Sequence, residues 1–191
     1  MRKDIMNDSE RENVAIEEKW ESLTLANNFI FYKVMRNNPD VCQHLIEMLL
    51  GIKIERMKVT GEETIAMDYD SHGIRLDVYV KDSDRVFDIE MQSSRSDALE
   101  KRMRYYQSMI DIDSLMKGAD YSELKERFVI FICKERPFVN SNLPVYSFSN
   151  MCFEAPGLEL GDKTHKLVYN ASAYEDENDE ALKAHYEPPK P

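Results

Sequence analysis

The chain has only six glycines and seven prolines in 191 residues, too few for a collagen-like or low-complexity protein. Its three cysteines, Cys42, Cys133 and Cys152, are odd in number and scattered. That spacing fits neither a disulfide framework nor a zinc knuckle, and it predicts buried reduced thiols. No apolar run approaches the ~20 residues of a membrane-spanning helix. The charged opening "MRKDIMNDSERENVAIEEKW" lacks the apolar centre of a signal peptide. These absences predict a cytoplasmic protein with no membrane partner. G-x-S-x-G, Walker A and G-x-G-x-x-G motifs are missing as well, so esterase and nucleotide-binding chemistry have no support.

Basic charge is scarce overall but unevenly so. The formal net charge is −11, and most of it sits in the ends. Residues 1–22 hold 7 acids and 4 bases, residues 154–191 hold 9 and 4, and residues 23–153 are nearly balanced at 20 and 17. A balanced centre leaves room for a local basic patch facing a polyanion. The length suits one domain with tails. The expected division is a polar lead-in at 1–22, a core at 23–153 and an acidic segment at 154–191.

What the sequence does have is clear periodicity. Thr24 is placed to cap a helix through "LANNFIFYKVM". Asn38, Pro39 and Gly51 bracket a second helix, with Val41, Leu45, Met48 and Leu49 on one face. "RMKVT" and "ETIAMDY" read as extended pieces. "IRLDVYV" alternates over 74–80, with Ile74, Leu76, Val78 and Val80 on one face, then "KDSDR" turns and "VFDIEMQ" returns. Asp97 and Glu100 form a capping box for a helix carrying Leu99, Met103, Tyr106 and Ile110 and ending near Gly118. "YSELKER" is a short helix, "FVIFIC" (128–133) a buried central strand, and "PVYSFSN" and "KLVYN" two more strands. The order predicts an α/β or α+β sandwich.

The return strand raises a chemical question. In "VFDIEMQSS" the polar face carries Asp88, Glu90 and Gln92 in succession, although Asp is a poor strand former. With Ser83 and Asp84 as a two-residue turn, Val80 meets Phe87, Val78 meets Ile89 and Leu76 meets Met91. The same register sets Asp77 opposite Glu90, with Cβ atoms only ~5 Å apart, where like charges repel. A divalent cation would offset that repulsion. Mg²⁺ prefers oxygen ligands and takes one or two carboxylates with several waters. An ordinary solvated strand face remains the alternative, since exposed acids are common.

The stretches "RLDVYVKDSDRVFDIEMQ" and "RMRYYQSMIDIDSLMKGADYSELKERFVIFICKERPF" resemble the PD-(D/E)XK nuclease family transposases. The likeness extends back to "LANNFIFYKVMRNNPDVCQHLIEMLLG" and forward to "VYSFSNMCFEAPGLELGDKTHKLVYNASAY". It implies an α/β fold with a restriction-endonuclease-like core, a mixed β-sheet flanked by helices. It also implies a metal-dependent DNA endonuclease using Mg²⁺ or Mn²⁺, with DNA as partner and a homo-oligomer left open. Asp77 matches the motif's Asp and Glu90 its Asp/Glu, as metal ligands and catalytic residues. The main-chain carbonyl of Met91 is a further expected ligand. Gln92 stands where the namesake pattern has lysine, as related sequences commonly do, and is expected to position the attacking water without supplying charge. Related sequences often carry an acid where this chain has Asn27 and Asn28, and they continue beyond residue 191. A catalytically silent nuclease-fold binding module and a shortened inactive remnant are the rival readings.

Charge around these acids is harder to assign. Arg95, Lys101, Arg102 and Arg104 follow Gln92 closely, and Lys101, Arg104 and Ser108 lie opposite the apolar stripe of their helix. Arg75, Arg95, Lys101 and Arg104 are the candidate phosphate contacts, although for Arg95, Lys101, Arg102 and Arg104 a solvated helix face is the favoured explanation. Tyr106 belongs with the core by its spacing, while Tyr105 is open to base stacking. "DYDSHG" (68–73) imitates a calcium loop but ends on Tyr79 where a bidentate Glu is needed, so it is rejected. Glu62, Glu63 and Asp68 are near enough to supply another oxygen. His44 has no second His at helical spacing and reads as a packing or surface residue.

Overall fold

The computed structural model describes residues 24–60, 63–65 and 73–174. Helix α1 spans Asn28–Asn37 and α2 spans Pro39–Leu50. Strands β1 (Lys58–Thr60), β2 (Glu63–Ile65), β3 (Ile74–Leu76), β4 (Val78–Lys81) and β5 (Arg85–Gln92) follow. Then come α3 (Leu99–Ser114), β6 (Glu126–Cys133), β7 (Val145–Phe148) and β8 (Thr164–Asn170). Among the described residues, six strands form one sheet in the order β1-β4-β5-β6-β8-β7, while β2 and β3 pair separately. β5, β6 and β8 run parallel, and the outer pairings are antiparallel. Parallel neighbours need a long crossover, which α3 supplies between β5 and β6. The protein is the expected α/β structure, a mixed sheet flanked by helices.

Apolar residues sort onto both sheet faces. One face, built from Val80, Phe87, Ile89, Ile130 and Leu167, packs against Phe31, Cys42 and Ile46 of α1 and α2. The other, with Val129, Phe131 and Val168, receives Leu99 and Met103 of α3. β6 is therefore covered on both sides, which explains its unbroken apolar run. Buried Arg127 on β6 meets Asp111 and Ser114 near the end of α3, fixing that helix over the sheet. All three cysteines are free; Cys42 and Cys133 are buried and Cys152 half-buried. Burial pushes the thiols of Cys42 and Cys133 up to about 11, so neither is a nucleophile at neutral pH.

Several boundaries differ from the expectation. Asn27, not Thr24, caps α1, its side-chain oxygen accepting from the N–H groups of Phe29 and Ile30 at 3.0 and 3.3 Å. α2 begins at Pro39 and stops at Gly51 as expected, but its buried face is Cys42, Ile46, Leu49 and Leu50, leaving Val41 and Met48 exposed. α3 starts after Ala98 without a side-chain cap, and it ends at Ser114, short of Gly118. The expected short helix is a single 3-10 turn at Tyr121–Glu123, closed by a capping box on Asp120. Gly51 holds φ 65, a left-handed conformation that penalises a Cβ. Gly51→Ala is expected to cost about 1 kcal/mol, read as a lower midpoint in chemical denaturation.

The most consequential difference concerns 74–80. The expected hairpin register holds, with Val78 opposite Ile89 and Val80 opposite Phe87. Asp82 donates to the carbonyl of Arg85 at 2.9 Å across the Ser83–Asp84 turn. The chain is nevertheless not one strand. It bends at Asp77, and β3 leaves to pair with β2. Ile74 and Leu76 consequently pack with Tyr79 and Ile110 on the α3 side, while Val78 and Val80 face α1 and α2. The predicted Leu76–Met91 rung is absent from the β4–β5 pairing.

Candidate active site at the break in the hairpin

The bend at Asp77 leaves the end of the hairpin without ladder partners, and two carboxylates take their place. The N–H of Asp77 donates to Oε1 of Glu90 at 2.8 Å. The N–H of Met91 donates to Oδ2 of Asp77 at 3.2 Å. Each acid thus satisfies a main-chain donor on the opposite strand, as buried polar groups require. This exchange holds the two side chains side by side at one rim of the sheet.

A cavity of about 300 Å³ opens over them. Asp77, Glu90 and Arg75 line it from the sheet, Asn28 and Tyr32 from α1, and Arg102 from α3. Asn28 therefore stands beside the acids. Asn27, by contrast, is occupied by capping.

The expected polar face is not solvated. Asp88 and Glu90 are each only 1% exposed, and of the two only Glu90 lines the cavity. Neither oxygen of Asp88 meets an N–H or hydroxyl donor among the described residues, and its carboxyl faces that of Glu90. Burial, reinforced by the charges of Glu90 and Asp77, raises its pKa well above the usual carboxylate range. Burial and the neighbouring Asp77 push Glu90 up to about 7, although the Asp77 N–H and Arg102 oppose the shift.

Arg102 is the dominant counter-charge. Its Nη2 donates to Oε2 of Glu90 and its Nη1 to Oε1 of Gln92, both at 2.7 Å. The guanidinium also lies 5.0 and 4.9 Å from the ring centroids of Tyr106 and Phe131. Gln92 does not point freely into the cavity, since its amide N–H₂ donates to the carbonyl of Ser94 at 2.5 Å. Of the phosphate candidates, Arg75 lines the cavity. Lys101 and Arg104 are exposed on α3, and Arg95 is exposed, with its N–H donating to Glu135. Tyr105 is partly exposed and Tyr106 packs inward, while His44 is on the surface. Glu62 and Asp68 lie outside the described residues, and so does the side chain of Glu63.

Of the four bases that closely follow Gln92, Arg102 is the one that meets the acids, while Lys101 and Arg104 face outward. A signal existed. Arg102 lies three residues after Leu99 and four before Tyr106, at the border of the apolar stripe, where a long cation reaches the sheet edge.

Two carboxylates and an amide in one cavity form an oxygen-rich donor set suited to Mg²⁺ or Mn²⁺, which take few protein ligands and keep their waters. Among the described residues no three His, Cys, Asp or Glu side chains are grouped to hold a metal. No helix among the described residues is long and apolar enough to cross a membrane.

No curated protein matches the chain. A sequence model of the PD-(D/E)XK nuclease family transposases matches residues 26–155, from α1 through both acids, Gln92 and Arg102 to beyond β7, and the chain belongs to that family.

Proposed function

We propose that the protein is a divalent-metal-dependent DNA endonuclease that hydrolyses phosphodiester bonds at the cavity over Asp77 and Glu90. The observation that carries this reading is the mutual hydrogen bonding across the broken hairpin, which brings both carboxylates to one cavity. Asp77 and Glu90 would hold the cation, and the Met91 carbonyl would be a further oxygen ligand. A divalent cation there supplies Lewis-acid stabilisation of the phosphodiester and lowers the pKa of the attacking water. The amide oxygen of Gln92 is an acceptor suited to orienting that water, and Arg75, which lines the cavity, contacts a phosphate. Exposed Arg95, Lys101 and Arg104 add a diffuse, salt-sensitive attraction for the DNA backbone.

Nicking of supercoiled plasmid with Mg²⁺ or Mn²⁺ tests the proposal. Wild-type protein is expected to convert plasmid to open circle, and the Asp77→Ala, Glu90→Ala double variant to leave it intact. Equal rates from the two proteins would remove the assignment. A second reading, a silent nuclease-fold binding module, draws support from Asn28 replacing an acid. Salt-dependent DNA retention with no metal-dependent nicking would favour it.

A further inference from the structure

Arg102 is the group at the site whose contacts the endonuclease reading leaves unexplained. It grips both Glu90 and Gln92 through parallel N–H donors, and the Glu90 side chain beneath it is 1% exposed. Oε1 of Glu90 already accepts from the Asp77 N–H, so the guanidinium holds the second carboxylate oxygen. A cation of charge two brought to that oxygen meets a fixed positive charge within a few ångströms. In a partly dry site such repulsion is too large to tolerate. Arg102 is not sealed in, because its own side chain is 31% exposed and lines the cavity. Its guanidinium lies 5.0 and 4.9 Å from the Tyr106 and Phe131 ring centroids, contacts that keep the charged end near the site after it lets go of Glu90.

We propose that Arg102 has two partners in turn. It binds Glu90 and Gln92 while no divalent cation is present, and a non-bridging oxygen of the scissile phosphate once one is. This rests on the metal-dependent reading above. A planar guanidinium is the fork that phosphate oxygens accept, and its departure frees the Gln92 oxygen to accept from water. The arginine thereby brings the charge that Gln92 lacks, and it brings it only after the cation has arrived.

Mn²⁺ binding to the full chain at pH 8, followed by electron paramagnetic resonance without DNA, tests the first half. Arg102→Met is expected to bind Mn²⁺ about tenfold more tightly than wild type, because a charge-assisted competitor is gone. A short duplex held with Ca²⁺, read by fluorescence anisotropy, tests the second. The same variant is expected to bind that duplex about tenfold more weakly. Mn²⁺ binding by Arg102→Met equal to or weaker than wild type overturns the competition. Unchanged duplex affinity overturns the phosphate role. If wild type and variant both fail to bind Mn²⁺, the metal-dependent reading itself has failed, and the proposal with it. Should Arg102→Met not fold, wild-type protein still decides the first half. The guanidinium NMR signals of Arg102 are expected to lose their hydrogen-bonded shift as Mg²⁺ is added, and signals that stay put refute the exchange.

Discussion

Glu90→Gln is expected to lower Mg²⁺-dependent plasmid nicking by about three orders of magnitude while making the protein more stable at pH 8. The two effects have one origin. Glu90 is buried beside Asp77 and Asp88, and its pKa of about 7 records the cost of keeping it ionised there. Glutamine keeps the shape and one acceptor oxygen, so the Asp77 N–H or Arg102 retains a partner. It removes a negative charge that the fold tolerates poorly and that a cation requires. The expected gain is about 1–2 kcal/mol at pH 8, shrinking toward zero at pH 5, where Glu90 is already protonated. Chemical denaturation at the two pH values, alongside the nicking assay, checks both halves. A purely structural Glu90 would instead lose stability on substitution, through an impaired pairing with Arg102. Stability conceded at a site and recovered when the site is disabled marks functional residues.

The site was partly legible because its signals are local. Alternation in 86–92 and the complementary apolar order of 78–80 fix the hairpin register, and a one-residue slip would turn an apolar row to the wrong face. Asp77 and Glu90 follow from that register. Pro39 and Gly51 fix α2 because their backbone preferences need no tertiary context. The bend at Asp77 was not legible. Ile74 and Leu76 continue the alternation through it, and only β2 and α3 give those two residues a core of their own on the opposite face. The burial of Asp88 and Glu90 was hidden for a related reason. Alternation separates two faces of a strand but does not say whether the polar one meets water or the underside of a helix. Arg102 comes from α3, ten residues beyond Gln92, and its pairing exists only after the crossover has folded back. Asn28 likewise reaches the acids only through the packing of α1.

Without divalent cations, stability is expected to fall as pH rises from 5 to 8. The groups around Glu90 are Asp77 at the head of β4, Asp88 on its own strand, and Arg102 and Tyr106 on α3. Burial and Asp77 outweigh Arg102, the Asp77 N–H and the contact with Asp88, so the folded pKa of about 7 lies above the value of about 4.3 in an unfolded chain. Between those values the folded state binds the proton and the unfolded state does not, so each rise in pH favours unfolding. The stabilisation is complete below about 4.3 and has gone above about 7, a loss of roughly 3–4 kcal/mol. Asp88, raised by the same causes, acts in the same direction and extends the decline to higher pH. Asp82 and Asp162, whose pKa values are lowered, act oppositely, but their window lies below the ordinary Asp value and is over by pH 5. A cation that needs both carboxylates ionised should reverse the trend. Mg²⁺ at a hundred times its dissociation constant adds about 2.7 kcal/mol, and binding releases protons near neutral pH. Melting temperature against pH, with Mg²⁺ and with chelator, is therefore expected to give curves that meet near pH 5 and separate by pH 8. Parallel curves would mean that the cation does not bind at Glu90, and a chelator curve that rises with pH would mean that Arg102 already neutralises the acid.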